Sequence, residues 1–174
     1  MQQTTEAWLA GPVEGVDPYL MPVAHALVQA GRDLERAAAD LAPEEVWARP
    51  GGAASIGFHL RHVAGVLDRL LTYARGEMLS EAQLAALRVE GEPGDPPAGA
   101  PELVAAAKAA IERALEQVRA TPRSSLLEPR EVGRKRLPSN VLGLLYHAAE
   151  HVTRHVGQII TTAKVVRGAD RPAG

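Results

Sequence analysis

Four long segments of this chain have the composition and period of amphipathic helices, and proline and glycine interrupt the stretches between them. The helical segments cover about residues 17–41, 56–75, 101–120 and 139–167. No part of the chain has a clear strand pattern. The sequence therefore predicts an all-α fold in which four helices pack around one apolar core, that is, a four-helix bundle.

Capping and breaking residues set the predicted ends of two helices. Ser55 can cap the second long helix, and Gly76 ends it. Ser80 with Gln83 resembles a capping box, in which each residue satisfies a backbone donor of the other. We therefore expect a short extra helix between the second and third long helices, reaching about Arg88.

The longest irregular stretch, residues 121–138, precedes the fourth helix. It could hold a small hairpin or a flap over a pocket. Ser139 or Asn140 can then cap the fourth helix. A chain of 174 residues is long enough for one substantial core and contains no visible repeat, so we expect a single domain over residues 1–174.

The composition excludes several classes of function. The absence of cysteine rules out disulfides, thiolate zinc sites and cysteine nucleophiles. The formal net charge of −2 gives no general attraction to nucleic acid. No apolar run approaches the roughly 18 residues of a membrane span, and no signal peptide is visible. We therefore expect a cytoplasmic protein that binds neither membranes nor nucleic acid.

Three of the six histidines, His147, His151 and His155, are spaced four residues apart on the fourth predicted helix. Because a helix turns by about 100° per residue, they form a slowly turning ridge beside the apolar stripe. His151 borders that stripe and His155 lies just inside it, whereas His147 lies further out. His151 and His155 are therefore the better pair for one metal ion. The alternative is that they are ordinary polar residues at a helix border.

The second predicted helix offers histidines in a similar relation to its own apolar stripe. His62 lies at the edge of that stripe and His59 lies within it. Both side chains could point toward the fourth helix. Imidazole suits zinc, nickel, copper or iron, and three such ligands leave coordination positions open to water or substrate. Histidines on two helices thus favour a metal site over isolated border residues.

The segments "SIGFHLRHVAGVLDRLLTYARGE" and "LLYHAAEHVTRHVGQI" resemble the DinB/YfiT-like superfamily of four-helix-bundle metalloenzymes. In that superfamily a histidine on the second helix joins a His-x-x-x-His pair on the fourth. The resemblance implies that His62, His151 and His155 are metal ligands. It implies a divalent transition metal as cofactor, with zinc or nickel ahead of other ions.

Two histidines are additional to that pattern. His59 and His147 each precede a predicted ligand by about one helical turn. We expect them to transfer protons or to hydrogen-bond the ligating rings. Direct contact of either ring with the metal is the alternative.

Other polar residues are candidates for the same site. Arg69 lies almost in line with His62 and could bind a carboxylate or phosphate of a substrate, with a structural salt bridge as the alternative. Gln158 follows His155 on a similar face and could bind substrate or a ligating ring. His25, alone on the first helix, is expected to be a hydrogen-bonded core or border residue.

The resemblance also implies an activity. Some members of the superfamily transfer or isomerise substrates with a low-molecular-weight thiol, and others are regarded as hydrolases. We expect a metal-dependent transferase that uses such a thiol and a small-molecule substrate, and dimers are the commonest oligomers, so a homodimer is expected. The alternatives are a metal-dependent hydrolase, a non-catalytic metal- or ligand-binding stress protein, and a purely structural bundle.

Overall fold

A computed structural model describes residues 5–169. Within that range the chain forms six α-helices and one two-stranded sheet. The helices are α1 (Met21–Ala38), α2 (Pro43–Trp47), α3 (Ile56–Ala74), α4 (Glu81–Arg88), α5 (Ala100–Ala120) and α6 (Val141–Ala169). The strands are β1 (Pro129–Val132) and β2 (Leu137–Asn140). The predicted all-α bundle, with the short helix α4 between the second and third long helices, is confirmed.

The four long helices form a ring in which α1 and α3 each pack against both α5 and α6. Leucines and other apolar residues from each long helix meet in the middle and are almost fully buried, which stabilises the fold by about 1.5–3 kcal/mol for each large side chain. They include Leu27, Leu34, Leu60, Leu67, Val118, Leu145 and Ile159. None of the helices in residues 5–169 has both the length and the apolar character needed to cross a membrane.

The predicted caps lie at the ends of α3 and α4. The Oγ of Ser55 accepts a hydrogen bond from the backbone N–H of Phe58 at 3.1 Å. Gly76, with a φ of 81°, follows the end of α3 in the left-handed conformation that glycine adopts without strain. The backbone N–H of Gln83 donates to the Oγ of Ser80 at 3.2 Å, and the N–H of Ser80 donates to the Oε1 of Gln83 at 2.9 Å. The capping box is therefore formed in both directions.

The start of the first helix differs from the predicted position. A separate 3₁₀ turn covers Pro18–Leu20, and α1 begins only at Met21. The carboxylate of Asp17 accepts a hydrogen bond from the backbone N–H of Tyr19 at 2.9 Å. This bond caps the 3₁₀ turn, so the turn has a cap of its own. The short helix α2 was not predicted, because proline and glycine around it indicated a loop. The Oε2 of Glu45 accepts the backbone N–H of Ala42 at 2.7 Å, which satisfies a donor at the start of this helix.

The irregular stretch before α6 contains a hairpin, one of the two predicted alternatives. Strands β1 and β2 pair antiparallel, and Asn140 then caps α6 by accepting the N–H of Gly143 at 2.7 Å. The Nε of Arg130 on β1 donates to the carbonyl of Ala74 at 2.8 Å, which fastens the hairpin to the last residue of α3. Because His62 lies about 18 Å away along the helix axis, the hairpin contacts the opposite half of α3.

Gly57 on α3 provides a test of how tightly the small helix α2 packs. A Cβ at this position would lie 2.7 Å from ring atoms of Trp47. That ring is held by a hydrogen bond from its Nε1 to the carbonyl of Ala98 at 2.8 Å. We expect G57A to lower the free energy of unfolding by about 1–3 kcal/mol through overpacking, as measured by urea denaturation.

The matched control is G157A, because a Cβ on this exposed helical glycine of α6 meets nothing within 4 Å. Here alanine should raise the free energy of unfolding by up to about 1 kcal/mol, since it loses less backbone entropy on folding than glycine. Changes of the same sign and size at both positions would contradict the packing of Trp47 against α3.

Candidate metal centre

The three predicted ligands meet where α3 faces α6. The Nε2 of His151 lies 3.0 Å from the Nε2 of His62 and 3.1 Å from the Nε2 of His155. One ring nitrogen from each residue lies within 4.8 Å of the other two. Two nitrogens bound to one tetrahedral zinc ion, each at about 2.0–2.1 Å, stand about 3.3 Å apart. The donor set therefore fits a divalent transition metal.

The apolar stripes of the two helices produce this convergence. Val63 on α3 and Val152 on α6 are fully buried, and they turn the adjoining histidines toward the contact between the helices. His62, His151 and His155 remain partly exposed at its margin. The rings at this margin therefore adjoin buried apolar side chains on one side and solvent on the other.

A fourth histidine belongs to the same cluster. His59 lies inside the apolar stripe, as predicted, and is only 5% exposed. Its Nδ1 lies 2.9 Å from the Nδ1 of His155, on the side of that ring away from the converging Nε2 atoms. His59 therefore contacts a predicted ligand through the nitrogen that a metal would leave free.

The carboxylate of Glu90 is part of the cluster and was not identified from the sequence. It lies in the loop after α4 and is 5% exposed. Its Oε2 lies 2.7 Å from the Nδ1 of His62, and its Oε1 accepts from the Nη1 of Arg69 at 2.6 Å. Gly65 on α3 makes room for it, because a Cβ there would overlap Oε1 of Glu90.

Arg61 on α3 holds the loop that carries Glu90. The guanidinium of Arg61 donates to the backbone carbonyls of Val89, Glu92 and Pro93. It also lies over the ring of Trp47, 5.0 Å from the ring centroid. These contacts keep the backbone of the loop against α3 and direct the Glu90 side chain inward.

Glu90 is ionised at neutral pH. Burial raises its pKa, but hydrogen bonds from His62 and Arg69 and the charges of both residues outweigh burial, so the pKa lies below its usual value. An ionised carboxylate can only accept hydrogen bonds. The Nδ1 of His62 must therefore be the donor.

A second charged side chain approaches the cluster from the solvent side. The Nη2 of Arg154 lies 3.1 Å from the Nδ1 of His151 while its Nε pairs with Glu150 at 2.6 Å. Arg154 is exposed on α6, but its long side chain reaches back to the cluster. Since guanidinium only donates, the Nδ1 of His151 must accept.

Glu90 and Arg154 together determine the positions of the ring protons when all four imidazoles are neutral. We assign these protons from the hydrogen-bond network. His62 carries its proton on Nδ1 and has a bare Nε2, and His151 carries its proton on Nε2. The Nε2 of His155 must then accept, so His155 donates from Nδ1 to His59. Two of the three converging nitrogens are therefore already free of protons.

Three of the four clustered histidines, His59, His151 and His155, have lowered pKa values and so resist protonation. Burial, followed by electrostatic interaction with the neighbouring histidines, lowers the pKa of His155 to about 4. Burial is also the main cause of the lowered pKa values of His59 and His151. Neutral imidazoles are the form that binds metal ions, and the lowered pKa values of His59, His151 and His155 favour that form.

The remaining predicted residues lie around this cluster. His147 is further out, as expected, with its side chain 48% exposed and its Nδ1 3.3 Å from the Oε2 of Glu150. Arg69 is engaged in the salt bridge to Glu90, which was the alternative to substrate binding. Gln158 is exposed on α6. The Nε2 of His25 hydrogen-bonds the carbonyl of Gly11 at 2.9 Å, so His25 is satisfied as predicted.

Phe58 forms a wall of the cluster and was also missed. Its ring stacks on His62 with a centroid distance of 5.4 Å and an interplanar angle of 21°, and it meets His59 edge-on at 5.2 Å. Phe58 precedes His62 by four residues and shares its helix face, so helical periodicity could have identified it. Glu90 has no comparable signal, since it lies in a loop.

A separate groove of about 510 Å³ lies between α1 and α6. It is lined mostly by apolar side chains, with Trp8 at its rim and Val156 on α6. The four clustered histidines are not among its lining residues. The groove and the histidine cluster therefore lie on different faces of α6.

The lowered histidine pKa values predict how stability depends on pH. An imidazole whose pKa is 6.5 when unfolded but lower when folded binds more protons in the unfolded state, so acid favours unfolding. With a metal chelator present, the free energy of unfolding should fall as pH decreases from about 6.5 to about 4. H155Q, which lacks the ring with the pKa of about 4, should show a shallower fall. Urea titrations that give a constant value across this range would contradict the prediction.

Comparison with known protein families gives one match. A family profile described as the DinB superfamily matches residues 26–159, which is more than half of the chain and contains both histidine-bearing segments. A search of the curated proteins finds no match.

Proposed function

The chain belongs to the DinB superfamily, and from this we propose that it is a metal-dependent enzyme that transfers a low-molecular-weight thiol to a small electrophilic substrate. The observation that carries the proposal is the convergence of three imidazole Nε2 atoms from α3 and α6. In the proposed site His62, His151 and His155 hold the metal. In such a transfer the thiol sulfur bonds to an electrophilic carbon, the leaving group departs with its bonding electrons, and the thiol proton passes to solvent.

Imidazole is an uncharged ligand when it binds through a bare nitrogen, and this property of the three proposed ligands supports the chemistry. When bound, a divalent ion would keep its full positive charge among three imidazoles and would lower the pKa of a thiol or water placed against it. His59 keeps the ring of His155 oriented by accepting its Nδ1–H. Phe58 covers one face of His62 and restricts water on that side.

The ion pairs around the cluster favour a thiol over a water nucleophile. Hydrolysis by a metal-dependent enzyme often uses a free carboxylate as general base. The two carboxylates nearest the cluster, Glu90 and Glu150, are each paired with an arginine. A thiol beside a metal ion loses its proton without such a base. Because the chain has no cysteine, that sulfur must come from a separate molecule.

Other parts of the proposal rest on the sequence. We also propose a cytoplasmic location, and a homodimer because two-fold dimers are the commonest closed oligomers. Arg69 and Gln158 remain proposed contacts of a substrate. For Arg69 this would require the guanidinium to bind substrate with donors that Glu90 does not occupy.

Metal binding can be tested with two histidine variants of the same helix. Untagged protein should bind zinc or nickel in a one-to-one complex, measured by elemental analysis and by competition with a chelator. H151A removes a proposed ligand and should weaken binding by more than about 100-fold, beyond the 10–100-fold effect typical of outer hydrogen-bond partners. H147A should weaken it by less than about 10-fold. Equal losses in both variants would refute the proposed ligand set.

The transferase activity can be tested by following the loss of free thiol. Metal-loaded protein is mixed with a small thiol and a panel of electrophiles, such as alkyl halides and epoxides. We expect consumption to exceed that of metal-free protein and of H155A by at least about 100-fold, because most of the acceleration depends on the bound ion. Metal-loaded protein that leaves every thiol intact would instead support a non-catalytic binding protein. Ester or amide cleavage without thiol would support the hydrolase.

A further inference from the structure

We infer that Glu90 is a positioning residue that selects the tautomer of His62 able to bind a metal. This inference rests on the proposed function, since it assigns Glu90 a task at the same site. His62 can bind an ion only through a nitrogen that carries no proton. Its Nε2 is the nitrogen that faces His151, at 3.0 Å. The proton must therefore lie on Nδ1, and Glu90 is the group that holds it there.

Selection is needed because the required tautomer is the less common one. In water a neutral imidazole side chain carries its proton mainly on Nε2. That form of His62 would direct a second hydrogen, beside that of His151, into the space between the converging nitrogens, and a metal ion would have to displace both. The Oε2 of Glu90, 2.7 Å from Nδ1, reverses this preference because an ionised carboxylate can only accept.

Glu90 is itself held so that it cannot turn away from His62. Arg69 donates to Oε1 at 2.6 Å, which leaves Oε2 as the oxygen directed at His62. The carboxylate lies over Gly65, where any larger residue would overlap it. Arg61 binds three carbonyls of the surrounding loop. Contacts from three residues of α3 thus hold this one carboxylate and its loop in place.

The salt bridge to Arg69 makes E90Q a discriminating substitution. Glutamine has the shape of glutamate, and Arg69 would bind its amide oxygen, since guanidinium only donates. The amide NH₂ would then face the Nδ1 of His62 and donate to it. The proton of His62 would move to Nε2, the nitrogen required for the metal. E90Q is therefore expected to invert the tautomer while retaining the side-chain volume.

The experiment reads the tautomer directly in metal-free protein. Nitrogen NMR of protein with ¹⁵N-labelled histidine, at mildly alkaline pH, distinguishes a protonated from a bare ring nitrogen. Wild-type His62 should be protonated on Nδ1, and His62 of E90Q should be protonated on Nε2. Zinc affinity, measured by competition with a chelator, should fall by about 10–100-fold in E90Q. E92Q makes the same chemical change on an exposed residue of the same loop and should leave both measurements unchanged.

A second variant tests the same contact if E90Q unfolds. G65A should displace Glu90 by overlap with Oε1 and should reduce the population of the Nδ1-protonated form of His62. Thermal unfolding of each variant establishes that it is folded. Wild-type His62 protonated on Nε2 would overturn the inference without any variant. A folded E90Q that keeps the Nδ1 proton, or that loses it with no change in zinc affinity, would also overturn it.

The outcomes separate this inference from the proposed function. If wild-type protein binds no metal but E90Q inverts the tautomer, metal-dependent catalysis fails and the positioning by Glu90 stands. If wild-type protein binds zinc and E90Q changes neither tautomer nor affinity, the metal site stands and the inference about Glu90 fails.

Discussion

The packing of α3 against α6 is the constraint on which the candidate site depends. Buried valines on both helices, including Val63 and Val152, turn the apolar stripes toward the core and so determine how each helix is rotated about its axis. A shift by one residue would rotate a helix by about 100° and would carry its histidines away from the contact. The apolar contacts that hold the bundle together therefore also assemble the imidazoles, and the site depends on the intact fold.

Gathering four imidazoles in a partly buried margin requires that every ring nitrogen in the contact find a compatible partner. Buried polar atoms without partners are costly, and none is found among the described side chains. Glu90 at one end and Arg154 at the other leave one consistent arrangement of protons, in which a single hydrogen on His151 lies among three converging nitrogens. A divalent ion held there would replace that hydrogen, and the proton would leave or move to the Nδ1 that Arg154 now contacts.

Charge is distributed around the cluster in a way that suits a cation held by neutral ligands. Glu90 is the buried negative group behind His62, and Arg69 balances it, so the α3 side of the site is nearly neutral. On the α6 side, Glu150 pairs with Arg154 in the same manner. The lowered pKa values of His151 and His155 follow mainly from burial, which disfavours the charged ring but leaves the neutral, ligating form untouched.

The sequence by itself determined the bundle, because it follows from helical periodicity. Periodicity also placed histidines of two helices beside the core, and the family resemblance singled out His62 rather than His59 as the third converging ring. Apolar spacing located α1, α3, α5 and α6, and the same spacing placed His62, His151 and His155 at the borders of buried stripes. Local capping chemistry also located the start of α4. These features depend on residues close together in the chain, so a single sequence is enough to predict them.

Only the tertiary structure decided which groups surround those rings. Glu90 lies in a loop without period, 28 residues from His62, and reaches the site because Arg61, Gly65 and Arg69 on α3 receive that loop. Arg154 lies on the exposed face of α6 by its angular position around the helix, yet its flexible side chain reaches His151. Side-chain reach and the path of a loop are set by long-range contacts, which the spacing of residues along the chain does not encode.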